Sequence, residues 1–174
     1  MLEAQKYRTQ IQASAEKYGI MPSLIGAVGS RESHWGLTLK PPGPGGTGDA
    51  AKRKGKLPPG GGGWGRGLLQ IDYAAHTFAQ TGNWQDPAAN IDYGCGVLIA
   101  AQKSLLAKYP SLSGDRLLGA SLATYNSGAG NVSKSIKAGL DVDTTTAGGD
   151  YSKDVLGRAR FFLSHGFDDA ILTA

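Results

Sequence analysis

Apolar residues recur at helical intervals along most of this chain, and the one long stretch where they do not is bracketed by glycine and proline. Tyr7, Ile11, Ala15 and Tyr18 fall at i, i+4, i+8 and i+11, which predicts a helix over residues 3–18 stopped by Gly19. Met21-Pro22-Ser23 opens a second helix with proline in its first turn, and Leu24-Ile25-Gly26-Ala27-Val28-Gly29 is apolar and small all round, as in a helix buried on most sides. Asp86-Pro87 reads as an N-cap followed by an N1 proline. The helix it starts carries Ile91, Cys95, Leu98, Gln102 and Leu105 or Leu106 on one face until Pro110, and is the candidate for a central helix. Ser113 caps a further helix with Leu117, Leu118 and Leu122 inward, and glycines at 128 and 130 turn it into another that ends at Gly139. Tyr151, Val155, Ala159 and Phe162 stripe a last helix over residues 150–165, closed by Gly166.

From Leu37 to Gly67 no helix is possible, because Pro41-Pro42-Gly43-Pro44-Gly45-Gly46 and Pro58-Pro59-Gly60-Gly61-Gly62-Gly63 bound the segment. Leu68-Leu69-Gln70-Ile71-Asp72 then reads as a short strand or extended piece running through the core. The predicted architecture is α+β and predominantly α-helical, in one domain over residues 1–174 with a Gly/Pro-rich loop at 37–67.

Composition narrows the classes. Net charge +4 and pI near 9.2 favour anionic partners. The basic residues are scattered except at Lys52-Arg53-Lys54 and Lys56, where no aromatic residues interleave, so no nucleic-acid partner is expected. The single cysteine, Cys95, lies on an apolar stripe and forms no intrachain disulfide. His34, His76 and His165 are unrelated in spacing, and no metal or other cofactor is expected. No apolar run approaches membrane-spanning length, so no membrane insertion is expected. Met1 to Lys6 is polar rather than signal-like, which implies either a leader removed or another route of export. Gly43, Gly45 and Gly48 match a G-x-G-x-x-G spacing, but with no strand before and no helix after it the match carries no dinucleotide site.

The candidate chemistry begins at Glu32. Ile25, Val28 and Glu32 share one helical face, so its carboxyl projects from a buried stripe. Lost hydration disfavours the charged form and raises the pKa toward that of a general acid near neutrality. Asp49 sits in a polar loop that keeps it ionised, and Asp72 ends the extended segment. One protonated and one ionised carboxyl is what glycosidic hydrolysis requires. Ser33 and His34 are adjacent and point apart, which removes them as a nucleophile and base pair. Tyr125-Asn126, beside the glycine turn, offers a phenol and an amide of the kind that orients sugar hydroxyls.

Arg31-Glu32-Ser33-His34-x-Gly36, Gly67-Leu68-Leu69-Gln70-Ile71-Asp72 with His76, and Ala123-x-Tyr125-Asn126-x-Gly128-Ala129-Gly130-Asn131-Val132 together resemble goose-type lysozymes of glycoside hydrolase family 23. The likeness runs from about Met21 through Asp150-Tyr151 to His165-Gly166. It implies a lysozyme-like fold with a small β-patch beside the cleft, Glu32 as general acid, and Asp72 and Asp49 holding the attacking water, giving inversion. It carries Gln70, His76, Tyr125, Asn126 and Tyr151 over as cleft-lining groups, and His34 and Trp35 are further candidates for substrate contact. Gly46-Thr47-Gly48-Asp49 lies in a longer, more basic loop than the family pattern, which makes Asp72 the firmer second carboxylate. Lytic transglycosylases share looser forms of these motifs, but their second motif continues into proline where Asp72 stands here. The resemblance implies a monomeric muramidase acting on peptidoglycan, secreted or phage-delivered to the cell wall. Its rivals are a chitinase, a lytic transglycosylase and a non-catalytic sugar-binding module.

Overall fold

The computed structural model describes residues 1–51 and 53–168; Lys52, part of the basic run noted above, lies outside the described residues. Helices dominate: α1 (Leu2–Gln5), α2 (Arg8–Tyr18), α3 (Pro22–Ser33), α4 (Thr77–Thr81), α5 (Pro87–Lys108), α6 (Gly114–Ser127), α7 (Ala129–Lys137) and α8 (Tyr151–Ser164). Two 3-10 turns, Val142–Thr145 and Ala147–Gly149, lead into α8. Between α3 and α4 three two-residue strands, β1 (Thr47–Gly48), β2 (Gly65–Arg66) and β3 (Ile71–Asp72), form an antiparallel sheet in the order β1-β2-β3. The fold is thus α+β with the small sheet inserted in a helical body, as the sequence predicts.

The helix ends follow their local chemistry. Pro22 occupies the first turn of α3, and Asp86 caps α5 by accepting the Ala89 N–H at 2.8 Å. The predicted helix over 3–18 is in fact two, broken at Lys6 and Tyr7. The break lets the Tyr7 ring stack on Trp35 with centroids 5.5 Å apart. The Leu68–Asp72 segment is extended only at Ile71–Asp72, because Gly67 to Gln70 is a turn. It does run through the core, with Leu68, Leu69 and Ile71 all buried. Neither α4 nor the first two strands is predicted by the sequence pattern.

Helix α3 packs most extensively on α8, and α5 on α6. Gly26 makes the first approach possible, since a Cβ there would stand 2.7 Å from the Phe162 ring; a Cβ on Gly29 would stand 2.5 Å from the Trp35 indole, which folds back under α3. Polar groups stitch the same pair. Arg31 binds Asp150 and Asp154 at 2.9 Å each, and Arg158 reaches Asp154 at 2.6 Å and Ser30 at 2.9 Å. Asp143, fully buried, accepts the Ser152 and Lys153 N–H groups and the Ser152 hydroxyl, so it caps α8 from the preceding turn. Cys95 is buried in the core as expected, and burial pushes its thiol up to about 12.

Candidate active site

One cleft of about 540 Å³ runs between the helical body and the sheet. The helical side contributes Glu32 from the last turn of α3 and Tyr125, Asn126 and Ser127 from the end of α6. From the sheet side come Asp49, Arg53, Gly65, Gln70, Ile71 and Asp72. His76, just before α4, lines it as well. The sequence-predicted residues Glu32, Asp49, Gln70, Asp72, His76, Tyr125 and Asn126 are therefore brought together, although they are spread over most of the chain.

Glu32 keeps part of its surface open to the cleft, while the protein packed around its carboxyl strips away hydration. That burial raises its pKa from the ordinary 4.5 to about 7, partly offset by the Tyr151 hydroxyl and the neighbouring Arg31 charge, both of which favour the ionised form. Tyr151 stands behind the cleft and donates a short hydrogen bond to Glu32 Oε1. The Arg31 guanidinium lies 5.5 Å from the centre of the Tyr151 ring, which ties the ion pairs of α8 to the phenol that touches Glu32. Burial first, and then the Glu32 charge, raise Tyr151 and Tyr125 well above the usual phenol value, so both remain protonated donors. Tyr125 spends its proton on the Leu69 carbonyl at 2.7 Å, locking α6 to the turn before β3. Asn126 accepts the Ala147 N–H at 2.8 Å, tying the end of α6 to the turn that precedes α8.

The sheet side is built around missing side chains. Gly48 pairs with Gly65, and Gly65 with Asp72. A Cβ on Gly48 or Gly65 would lie 2.1 or 2.2 Å from Gln70 Oε1, so the glycine pair is what admits the Gln70 carboxamide against the sheet. Gln70, at φ 50°, is fixed there by donating to the Gly67 carbonyl at 2.7 Å. Asp72 Oδ1 accepts the Ala74 and Ala75 N–H groups at 2.8 and 3.0 Å, and its Oδ2 pairs with Arg53 at 2.6 Å. Asp49 pairs with the same guanidinium at 2.9 Å. His76 meets the Tyr93 hydroxyl at 3.2 Å, and burial lowers its pKa, so near neutrality its ring is uncharged.

Three predicted contacts are not brought to the cleft: Tyr151, 1 % exposed and absent from the lining, reaches it only through its hydrogen bond to Glu32, and Trp35 and His34 stay out altogether. Trp35 is 2 % exposed; its indole N–H donates to the Gly26 carbonyl at 3.0 Å and its ring packs on Tyr7, so it is a core residue. His34 is exposed at the end of α3 and is absent from the cleft lining. His34 and Trp35 have positive φ, 48° and 56° respectively, and this left-handed pair reverses the chain and carries the Trp35 side chain back under α3. Helical extrapolation from Glu32 therefore fails one residue after Ser33. Conversely, sequence reasoning missed Arg53, Thr145 and Ala147 as lining groups. Only Arg53 leaves a trace in the sequence, four residues after Asp49, where its charge reads as part of a basic run.

The dehydrated Glu32 carboxyl thus shares one cleft with the carboxyl groups of Asp49 and Asp72, the kind of arrangement that glycosidic hydrolysis uses. The family model for lysozyme g matches residues 1–166. The chain is 34% identical over 162 residues to lysozyme g of Gallus gallus, covering 93% of this chain and 66% of that protein. It is 32% identical over 162 residues to lysozyme G of Dromaius novaehollandiae, covering 93% and 68%, and 33% identical over 160 residues to lysozyme g of Epinephelus coioides, covering 91% and 75%. The chain belongs to the lysozyme g family, whose members are glycoside hydrolases of the muramidase class.

Proposed function

We propose that this chain hydrolyses the β-1,4 bonds of peptidoglycan with inversion at the anomeric carbon. The observation that carries the reading is the contrast within one cleft between Glu32, pushed to about 7 by burial, and the carboxylates Asp49 and Asp72 on the sheet side, both held by a guanidinium. In the proposed step Glu32 gives its proton to the leaving glycosidic oxygen as that bond breaks. A water held by Asp49 and Asp72 attacks the anomeric carbon from the other face and loses its proton to that carboxylate pair. Gln70, His76, Tyr125 and Asn126 line the sugar path, and Tyr151 orients Glu32 from behind. His34 and Trp35 are given no part in substrate contact.

Peptidoglycan is favoured over chitin because the similar proteins reported above are lysozymes. Hydrolysis is favoured over the transglycosylase route because the cleft places two carboxylates beside Gln70 in addition to Glu32. We read the active form as a monomer working outside the cell, on the wall. No helix among the described residues is long and apolar enough to cross a membrane. Product analysis on cell walls and on chitin side by side tests the reading. It predicts reducing-end fragments from cell walls in the inverted anomeric form; anhydro products, retained anomers or release from chitin alone would contradict it.

A further inference from the structure

We infer that Arg53 is a positioning residue for the water-activating side of the cleft: its guanidinium fork clips Asp49 to Asp72 and leaves one oxygen of Asp49 open to receive the proton of the attacking water. The inference rests on the reading of these two aspartates given above.

Arg53 Nη1 reaches Asp72 Oδ2 at 2.6 Å, and Nη2 reaches Asp49 Oδ2 at 2.9 Å. One planar group thus spans two carboxylates that belong to different strands or strand ends and would otherwise repel each other. The arginine is itself seated, with its guanidinium carbon 5.0 Å from the centre of the Trp64 ring. The Trp64 N–H donates to the Asp49 carbonyl at 3.1 Å, so the platform beneath Arg53 also fixes the backbone of one of its partners. Asp49 has φ 50°, a left-handed conformation that such a tether helps to hold. The two carboxylates differ in what remains free. Asp72 accepts two N–H groups on Oδ1 and the arginine on Oδ2, so both its oxygens are engaged. Asp49 is engaged through Oδ2, and its Oδ1 has no hydrogen-bond partner among the described residues.

Stability does not account for this arrangement. The side chains of Arg53 and Asp49 are each 46% exposed and that of Asp72 30%, and ion pairs so open to water contribute little to folding. All three nevertheless line the cleft. Their geometry is set where a water must be held within fractions of an ångström, and that is where a rigid fork matters and a flexible ammonium does not.

The test measures kcat and KM on cell walls for the wild type, Arg53→Ala, Arg53→Lys and the loop control Lys54→Ala, each with and without millimolar guanidinium chloride. Arg53→Ala is expected to lower kcat about 100-fold with KM nearly unchanged. Added guanidinium restores much of that loss, Arg53→Lys falls between the two, and Lys54→Ala matches the wild type. Thermal unfolding midpoints of all four should agree closely. An Arg53→Ala enzyme with kcat within about threefold of wild type, or one whose loss is confined to KM and is indifferent to guanidinium, overturns the assignment. A lowered unfolding midpoint that accounts for the lost activity overturns it as well. Wild-type protein inactive on cell walls would instead overturn the hydrolase reading itself, so the two failures are distinguishable.

Discussion

The two sides of the cleft hold their carboxyl groups by opposite means. On the helical side Glu32 emerges from a helix whose residues Leu24 to Gly29 are all buried, and its carboxyl accepts a hydrogen bond from a phenol that is itself buried. On the sheet side Asp49 and Asp72 are partly open to water and bound to one guanidinium, and Asp72 also accepts two backbone N–H groups. Burial disfavours charge, whereas cations and donors favour it. The two walls are therefore built of different material: packing surrounds the carboxyl on one side, and ion pairing and hydrogen bonds hold the carboxyl groups on the other.

Breaking the helical side should have the largest effect. Glu32→Gln keeps the shape and removes the proton, and kcat on cell walls is expected to fall by about 10³-fold or more while binding of wall oligosaccharides persists. Trp35→Ala tests the claim that this residue belongs to the core and not the cleft. It should cost about 3–5 kcal/mol in chemical denaturation, with KM of the remaining folded enzyme unchanged.

The same acid should be visible in stability. The folded-state pKa of Glu32, about 7, lies above the ordinary 4.5, so the native state holds a proton that the unfolded chain has released. Its contribution is intact below pH 4.5 and is lost as pH rises through 7, on the order of 3 kcal/mol as an upper bound. Glu32→Gln should accordingly be more stable than wild type above pH 7 and indistinguishable from it near pH 4, as read from urea midpoints at both values.

Weakening the sheet side is expected to be milder. Asp49→Asn and Asp72→Asn should each lower kcat about 100-fold. A trivial effect of both would leave that wall without a role. The smallest effect belongs to Tyr151→Phe. Its hydroxyl favours the ionised form of Glu32, so removing it should move the alkaline limb of the kcat profile to higher pH; a downward shift would contradict the hydrogen bond.

Much of the helical side was legible because it obeys local rules. Pro22, Asp86 and Pro87 mark helix starts by backbone chemistry, and the stripe of Tyr151, Val155, Ala159 and Phe162 is buried as its spacing predicts. Glu32 was legible for the same reason, since the face of α3 that carries it is periodic. The sheet side was not, because its order comes from residues that lack side chains. The approach of Gln70 to the Gly48–Gly65 pair is a matter of what is missing, and periodicity is blind to it. Trp35 was misplaced because two consecutive left-handed residues end the helix, and no glycine at either position announces them. Arg53 was overlooked because its meaning depends on Asp72, which is distant in sequence and adjacent only once β3 has formed.

The central claim is that burial turns Glu32 into a proton donor near neutrality. It is tested most directly by following the Glu32 side-chain carboxyl by carbon NMR across a pH titration, with the signal assigned by its loss in Glu32→Gln. A midpoint near 7 is the predicted result, and a midpoint near the ordinary 4.5 would contradict the account.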